Sequence, residues 1–183
     1  MSLSPAEELT DLTFEEQLDP VYPEMVRFAR SLAGSATDGD DLLQDSLVRA
    51  WQAHSQLRDK RRFRFWMLRI ISNTFRSKLR RQRIKSWLSL DLIRNVPEPA
   101  RLAYEDKELV RQALANLHRE YREAIILFEV LGLSVAEVTV VQKASASAVK
   151  SRLARGRRML REQYFRLAGR EGDHEVKIVT SNG

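Results

Sequence analysis

Apolar residues along this chain recur three and four positions apart and almost nowhere alternate. That spacing predicts helices and no sheet. The run 20–33, PVYPEMVRFARSLA, reads as a first helix closed by Gly34. The SATDGDD stretch is a turn and a helix start. Thr37 or Asp38 can cap it, and Asp40 and Asp41 suit the positive end of the dipole. Residues 40–54 form a second helix, with Leu43, Leu47, Ala50 and Trp51 at core spacing. A third, strongly amphipathic helix covers 65–83. Trp66, Ile70 and Thr74, with Met67, Ile71, Phe75 and Leu79, trace its apolar side. Pro97 and Pro99 break any helix, so a linker is expected at 86–104. Helices restart at 105–117 and 119–131, the latter ended by Gly132. Ser134-Val-Ala-Glu137 is a capping box that opens a short helix to Gln142. After a turn at 143–145, a last helix covers 146–167 and points Val149, Leu153 and Leu160 at the core. The expected fold is all-α, with two small helical domains at 20–85 and 105–168 joined by the linker. An acidic leader at 1–19 and a polar, mobile tail at 169–183 flank them.

Charge changes this picture. The chain of 183 residues carries 31 basic and 25 acidic side chains, a net charge of +6, very unevenly placed. Residues 1–24 hold seven acids and no Lys or Arg; residues 58–87 hold twelve Lys or Arg and one acid, Asp59. Residues 143–170 hold nine basic residues and one acid, Glu162. Solvated helix faces usually mix their charges, whereas two one-sided basic blocks fit a polyanion such as nucleic acid. The absence of cysteine excludes disulfides, thiol catalysis and cysteine metal sites, and suits a reducing cytoplasm. No apolar run approaches the ~20 residues needed to span a bilayer. The acidic N-terminus does not read as a signal peptide.

Two constellations can carry function. The segment 134–158 has a short capped helix, a three-residue turn and a longer basic helix, the layout of a helix-turn-helix. In such a unit the start of the second helix meets base edges in the major groove. Here that start offers Ser145, Ser147, Lys150 and Ser151, with Arg152 and Arg155 placed for bases or phosphates. An ordinary helical hairpin has the same outline. In the 58–87 block, aromatic residues interleave the charge, as in a single-strand binding face. Trp66 and Phe75 stand at helical spacing and read as core. Phe63, in a basic loop, reads equally well either way. No catalytic motif is present: the histidines His54, His118 and His174 are scattered. Asp41 and Asp45 share a helix face and read as an acidic surface for a basic partner rather than a metal site. The chain is expected to be a non-enzyme without cofactor.

The run DLLQDSLVRAWQ (41–52), followed by FRFWMLRIISNTFRSKLRRQR (63–83), resembles region 2 of bacterial RNA polymerase sigma factors, nearest the small extracytoplasmic-function (ECF) type. The run LANLHREYREAIILFEVLGLSVAEV (114–138), followed by AVKSRLARGRRMLRE (148–162), resembles their region 4. The resemblance implies a factor that binds core RNA polymerase through its β and β′ subunits and directs promoter recognition and opening. It implies that Asp41, Leu42, Gln44, Asp45 and Arg49 face the core polymerase. Arg58, Lys60, Arg61, Arg62 and Phe63, with Asn73, Arg76, Ser77, Arg80 and Arg81, would face the opened −10 element. Ser145, Ser147, Lys150, Ser151, Arg152 and Arg155 would face the −35 element. An anti-sigma factor is implied as a further partner.

This sequence departs from the family pattern at several places. The helix-turn-helix turn usually has leucine then glycine, and here has Gln142-Lys143. Ala144 reduces the following apolar residue, and Thr139 stands for a small residue. His118 replaces a usual proline. Lys-Arg-Arg at 60–62 is more basic than usual. The start Ser145-Ala-Ser-Ala148 has little side chain with which to read bases, so −35 specificity is expected to be weak or phosphate-based. Two other functions fit parts of the chain: a sigma-like decoy for an anti-sigma protein, and a free-standing helix-turn-helix regulator. The decoy has no need of the basic block 58–85, and the regulator leaves the region 2 resemblance unused.

Overall fold

The computed structural model describes residues 12–88 and 105–169 and is helical throughout these two stretches. Helix α1, Phe14–Leu18, opens on a capping box: Thr13 Oγ1 accepts from Glu16 N–H, and Glu16 returns a bond to Thr13 N–H at 2.8 Å. A 3-10 turn, Asp19–Val21, leads into α2, Tyr22–Ala33, which ends on Gly34 at φ 87°. Helix α3, Ala36–Ala53, starts earlier than the sequence reading placed it. Ser35, not Thr37 or Asp38, is the cap, its Oγ accepting from Asp38 N–H at 3.1 Å. The extended backbone at Ser35 frees its hydroxyl for this role. Two 3-10 turns, His54–Gln56 and Lys60–Arg62, then lead into α4, Phe63–Leu88, so the first three residues of the expected linker continue a helix. The rest of the linker, most of the acidic leader and nearly all of the 169–183 tail lie outside the described residues.

Helix α5, Glu105–Ala115, begins the second half. Helix α6, Arg119–Ile125, was expected to run on as an α-helix. It widens instead into a π-helical turn, Ile126–Val130, where Leu131 N–H reaches back to Ile126 O at 3.0 Å. Helix α7, Val135–Gln142, has the expected capping box, with Ser134 N–H donating to Glu137 Oε2 at 2.7 Å. Helix α8, Ala146–Leu167, follows after Lys143.

The first core gathers Met25, Phe28 and Leu32 of α2, Leu42, Leu43 and Ala50 of α3, and Met67, Leu68 and Ile71 of α4. Helices α2 and α3 cross closely because Gly39 has no side chain: a Cβ there would sit 2.4 Å from Arg30 Cα. Arg30 and Asp40 close the rim of that crossing with two bonds of 2.8 and 3.0 Å. The second core gathers Ile125, Ile126 and Leu127 of α6 and its π turn, Leu133, Val138 and Val141 near α7, and Val149 and Leu153 of α8. One expected core position fails. Trp51 is 65% exposed, and Val48 beside it is 57% exposed.

The two halves are packed on one another, chiefly α7 on α4 and the α6 turn on α2. Arg122 Nη1 donates to Leu32 O at 2.9 Å, Nη2 bonds Ala115 O, and the guanidinium lies 5.8 Å from the Phe75 ring. Arg64 grips Glu24 with two bonds of 2.7 Å, and its Nη1 is 3.6 Å from Glu137 of α7.

Candidate polymerase and nucleic-acid interface

The basic loop is built around its one acid. Asp59 Oδ1 accepts from Arg61 N–H at 3.2 Å and so caps the 3-10 turn Lys60–Arg62. The same carboxylate pairs with the Arg61 guanidinium at 3.1 Å and the Arg62 guanidinium at 3.2 Å. The hydrogen bond from Arg61 holds the Asp59 carboxyl below its ordinary range. Arg58, Arg61 and Arg62 all face solvent. Surface pairs of this kind contribute little stability. Lys60 turns inward: its ammonium lies 3.0 Å from His54 Nε2. Burial, then the Lys60 charge, push the His54 ring below its ordinary value, which keeps it neutral and able to accept from Lys60.

Phe63 does not belong to an exposed loop. It is 4% exposed and starts α4, with its ring 5.6 Å from Phe14 and 5.7 Å from Trp66, and His54 completes the cluster. Burying an aromatic ring among others outweighs keeping it free for a base. Along α4, Asn73, Arg76, Ser77, Arg80 and Arg81 fall three and four positions apart and share one face. Asn73, Arg80 and Arg81 are exposed, and Arg76 and Ser77 are half-buried. Part of this face looks into a cleft shared with the second half. Arg76 and Arg80 line it opposite Arg119 and Arg122.

On α3, Asp41, Gln44, Asp45 and Arg49 form an exposed strip. Asp45 is held 2.9 Å from Lys78 of α4. Leu42 is not part of this strip. At 1% exposure it is core, because the step of one residue from Asp41 turns its side chain about 100° around the helix, towards α2 and α4. The exposed apolar residues of the surface are instead Val48 and Trp51, which the sequence reading had assigned elsewhere or passed over. They stand one helical turn apart on the same exposed side of α3.

The helix-turn-helix is present. Lys143 adopts φ 49°, ψ 51°, the left-handed conformation that glycine takes without penalty, and its N–H bonds Thr139 O. Ser145 Oγ caps α8 by accepting from Ala148 N–H at 3.2 Å and lies 3.0 Å from Ser147 Oγ. Ser145, Ser147, Lys150, Ser151 and Arg155 are exposed on one end of α8. Arg152 is already engaged. It donates to Gln142 Oε1 at 2.9 Å and lies 3.4 Å from Glu120, which fixes α8 against α6 and the end of α7.

Between the halves sits a buried carboxyl that the sequence reading missed, Glu123. Burial pushes its pKa up, against the opposing influence of Ser72, Arg76, Arg119 and Arg152. Its Oε1 and the Ser72 hydroxyl both lack a completed hydrogen bond. The signal was legible only in outline: Arg122-Glu123 opens the apolar run Ala124 to Phe128, where charged residues are costly. Among the described residues no group of three or more His, Asp or Glu could hold a metal, and no helix is long and apolar enough to cross a membrane.

A helical body with a basic loop, an acidic and apolar strip and a helix-turn-helix has the make-up of a DNA-binding regulator of transcription. Comparison with known proteins gives the family. Sigma-70 region 2 matches residues 18–84, and Sigma-70, region 4 matches residues 107–160. Over 145 residues the chain is 33% identical to the RNA polymerase sigma factor NccH of Alcaligenes xylosoxydans, covering 74% of this chain and 78% of that protein. It is 30% identical over 154 residues to the ECF RNA polymerase sigma factor EcfG of Rhodopseudomonas palustris, covering 83% and 84%. Among solved structures, it is similar to the sigma factor RpoE in complex with the anti-sigma factor NepR from Bartonella quintana. That match has a TM-score of 0.69 at 29% identity, covering 82% of this chain and 95% of that one. It is also similar to CnrH in complex with the cytosolic domain of CnrY, with a TM-score of 0.62 at 26% identity, covering 86% and 92%. The chain belongs to the ECF family of RNA polymerase sigma factors.

Proposed function

We propose that this chain binds core RNA polymerase and directs initiation at promoters carrying −10 and −35 elements. The observation that carries the reading is the division of exposed charge. One basic surface lies on the loop 58–62 and α4, a second on α8 of the helix-turn-helix, and an acidic strip with Val48 and Trp51 on α3. Residues 20–85 act as the core-binding and −10 unit, and residues 105–168 as the −35 unit. Asp41, Gln44, Asp45 and Arg49 meet the polymerase. Arg58, Arg61 and Arg62, with Asn73, Ser77, Arg80 and Arg81, take the opened −10 strand, where the guanidiniums neutralise phosphates. Ser147, Lys150, Ser151 and Arg155 meet the −35 duplex; their small or flexible side chains favour phosphate contact over base reading.

The packed arrangement is a resting state. A compact chain of this length has a radius of gyration of about 16 Å, so it is about 40 Å across. Elements named −10 and −35 lie about 25 base pairs apart, or about 85 Å at about 3.4 Å per pair. The two halves therefore separate before both elements are held. Arg76 and Arg80, which face the second half, become free for the −10 strand when they do. An anti-sigma protein is the proposed negative regulator: the sigma factor RpoE cited above is in complex with one.

Run-off transcription on fragmented genomic DNA, with sigma-free core polymerase and this chain, tests the reading. New discrete transcripts are expected, and aligned start sites give both elements. Failure to bind core polymerase and to start any transcript overturns it in favour of the decoy, which the small residues Ser145 to Ala148 allow.

A further inference from the structure

The cleft between the two halves is an unusual place for so much positive charge. It encloses 360 Å³ and is lined by Arg76 and Arg80 of α4 and by His118, Arg119 and Arg122 at the start of α6. The remaining wall is apolar, from Leu79, Ala115 and Leu117, and no carboxylate lines it. A neighbouring cavity of 430 Å³ also borders Arg122 but carries Asp38 and Asp41 against Lys78, Arg81 and Arg122, so most of its charge is offset within the fold. In the first cleft the balance is incomplete. Arg119 has a 3.4 Å contact with Glu120, the buried Glu123 behind Arg76 and Arg119 is pushed towards its neutral form, and Arg80 has no carboxylate partner among the described residues. Arg122 spends its two terminal nitrogens on carbonyls, leaving Nε buried and without a partner. A desolvated guanidinium with no carboxylate is costly, and burial pushes its pKa down. An anion in the cleft relieves that cost.

We propose that this cleft binds a short oligophosphate anion, of the pyrophosphate or nucleoside polyphosphate class, which bridges Arg76 and Arg80 of one half to Arg119 and Arg122 of the other. Guanidiniums are suited to bidentate phosphate contact. The cleft lies at the small end of the range for ligand sites, roughly 300–1,000 Å³. It admits a few phosphates and no duplex, whose major groove alone is about 12 Å wide. Because its walls come from both halves, the ligand binds the packed state and not the separated one, and so stabilises the former by mass action. It also occupies Arg76 and Arg80. The site reaches beyond the promoter reading and does not depend on it, since its readout needs neither polymerase nor DNA.

The test is calorimetric titration of the full chain with inorganic tripolyphosphate at about 0.15 M salt, where exposed charges more than about 8 Å apart are largely screened. One-to-one binding is expected, with a higher melting temperature in its presence. Arg80→Gln and Arg119→Gln, one in each half, are each expected to weaken binding about tenfold or more through loss of a charged phosphate contact. Arg161→Gln, an exposed cation on α8 outside the cleft, should leave it unchanged. Melting curves of the free variants confirm that each still folds. Three results overturn the proposal: no heat with the full chain, the cleft then being filled from within; equal weakening by all three variants; or weakening by only one of the two cleft variants.

Discussion

Arg122 of α6 donates through Nη1 to the carbonyl of Leu32 in α2, 2.9 Å away and 90 residues back in the chain. The bond uses the last turn of α2, where carbonyls lack helical partners because Gly34 ends the helix. It fastens the second half to the first, together with the Arg64–Glu137 contact at the start of α4. Replacing Arg122 by Gln leaves the Leu32 and Ala115 carbonyls unpaired, at about 1–3 kcal/mol for a buried group. The expected result is a larger radius of gyration in small-angle scattering and a lower melting temperature. An unchanged scattering curve would show that apolar packing alone holds the halves together.

Glu123, the next residue, sets a pH dependence. Burial raises its pKa above the ordinary 4.5. The packed state therefore binds the proton more tightly than the unfolded chain. Its contribution to stability is full below 4.5 and is lost as pH rises through the raised value. The carboxyls of Asp40, Asp59 and Glu137, held low by their partners, act in the opposite direction but only on the acid side of their ordinary values. The His54 ring, held below its ordinary 6.5 by burial, opposes Glu123 up to that value. The share of Glu123, a melting temperature that falls as pH rises above about 4.5 towards neutrality, is therefore read against a variant without this carboxyl. Glu123→Gln should flatten that slope and melt higher than the parent at neutral pH. A variant with the same slope as the parent would place the titration on another group.

Lys143 carries a backbone cost at the helix-turn-helix. A left-handed conformation costs a non-glycine residue about 1–2 kcal/mol, and glycine gives back part of that through its freedom in the unfolded chain. Lys143→Gly is expected to raise the stability by about 0.5–1 kcal/mol, read as a higher denaturation midpoint. Lys143→Val should lower it, since a branched side chain tolerates this conformation least. If Gly and Val behave alike, the turn relaxes at no cost.

Trp51 separates folding from binding. Its side chain is largely in water, so Trp51→Ala should leave the melting temperature nearly unchanged. If the α3 strip meets the polymerase, the same change should weaken core binding about tenfold or more, as loss of an interfacial tryptophan commonly does. Undiminished affinity, measured by fluorescence anisotropy of the labelled chain, would remove Trp51 and its strip from the interface. Leu42→Ala is the complementary control: it should lower stability by about 2–5 kcal/mol by opening a core cavity.

The sequence alone determined what depends on neighbours three or four residues away. Helical periodicity, the capping box at Ser134 and Glu137, the stop at Gly34 and the strained turn at Lys143 all close within one or two turns. These local rules need no knowledge of the rest of the chain. The family resemblance rested on the same runs and agrees with the regions matched. Tertiary packing decided which side of each helix is covered. Periodicity marked Trp51 as core and left Phe63 open, yet Trp51 faces out while Phe63 closes an aromatic cluster with Phe14, nearly fifty residues away. Leu42 went inward because α2 crosses α3 closely at Gly39. The Arg122–Leu32 tie, the buried Glu123 and the cationic cleft arise only when two separately patterned halves meet. Burial of a polar group depends on what lands on top of it, and a local pattern carries no record of that.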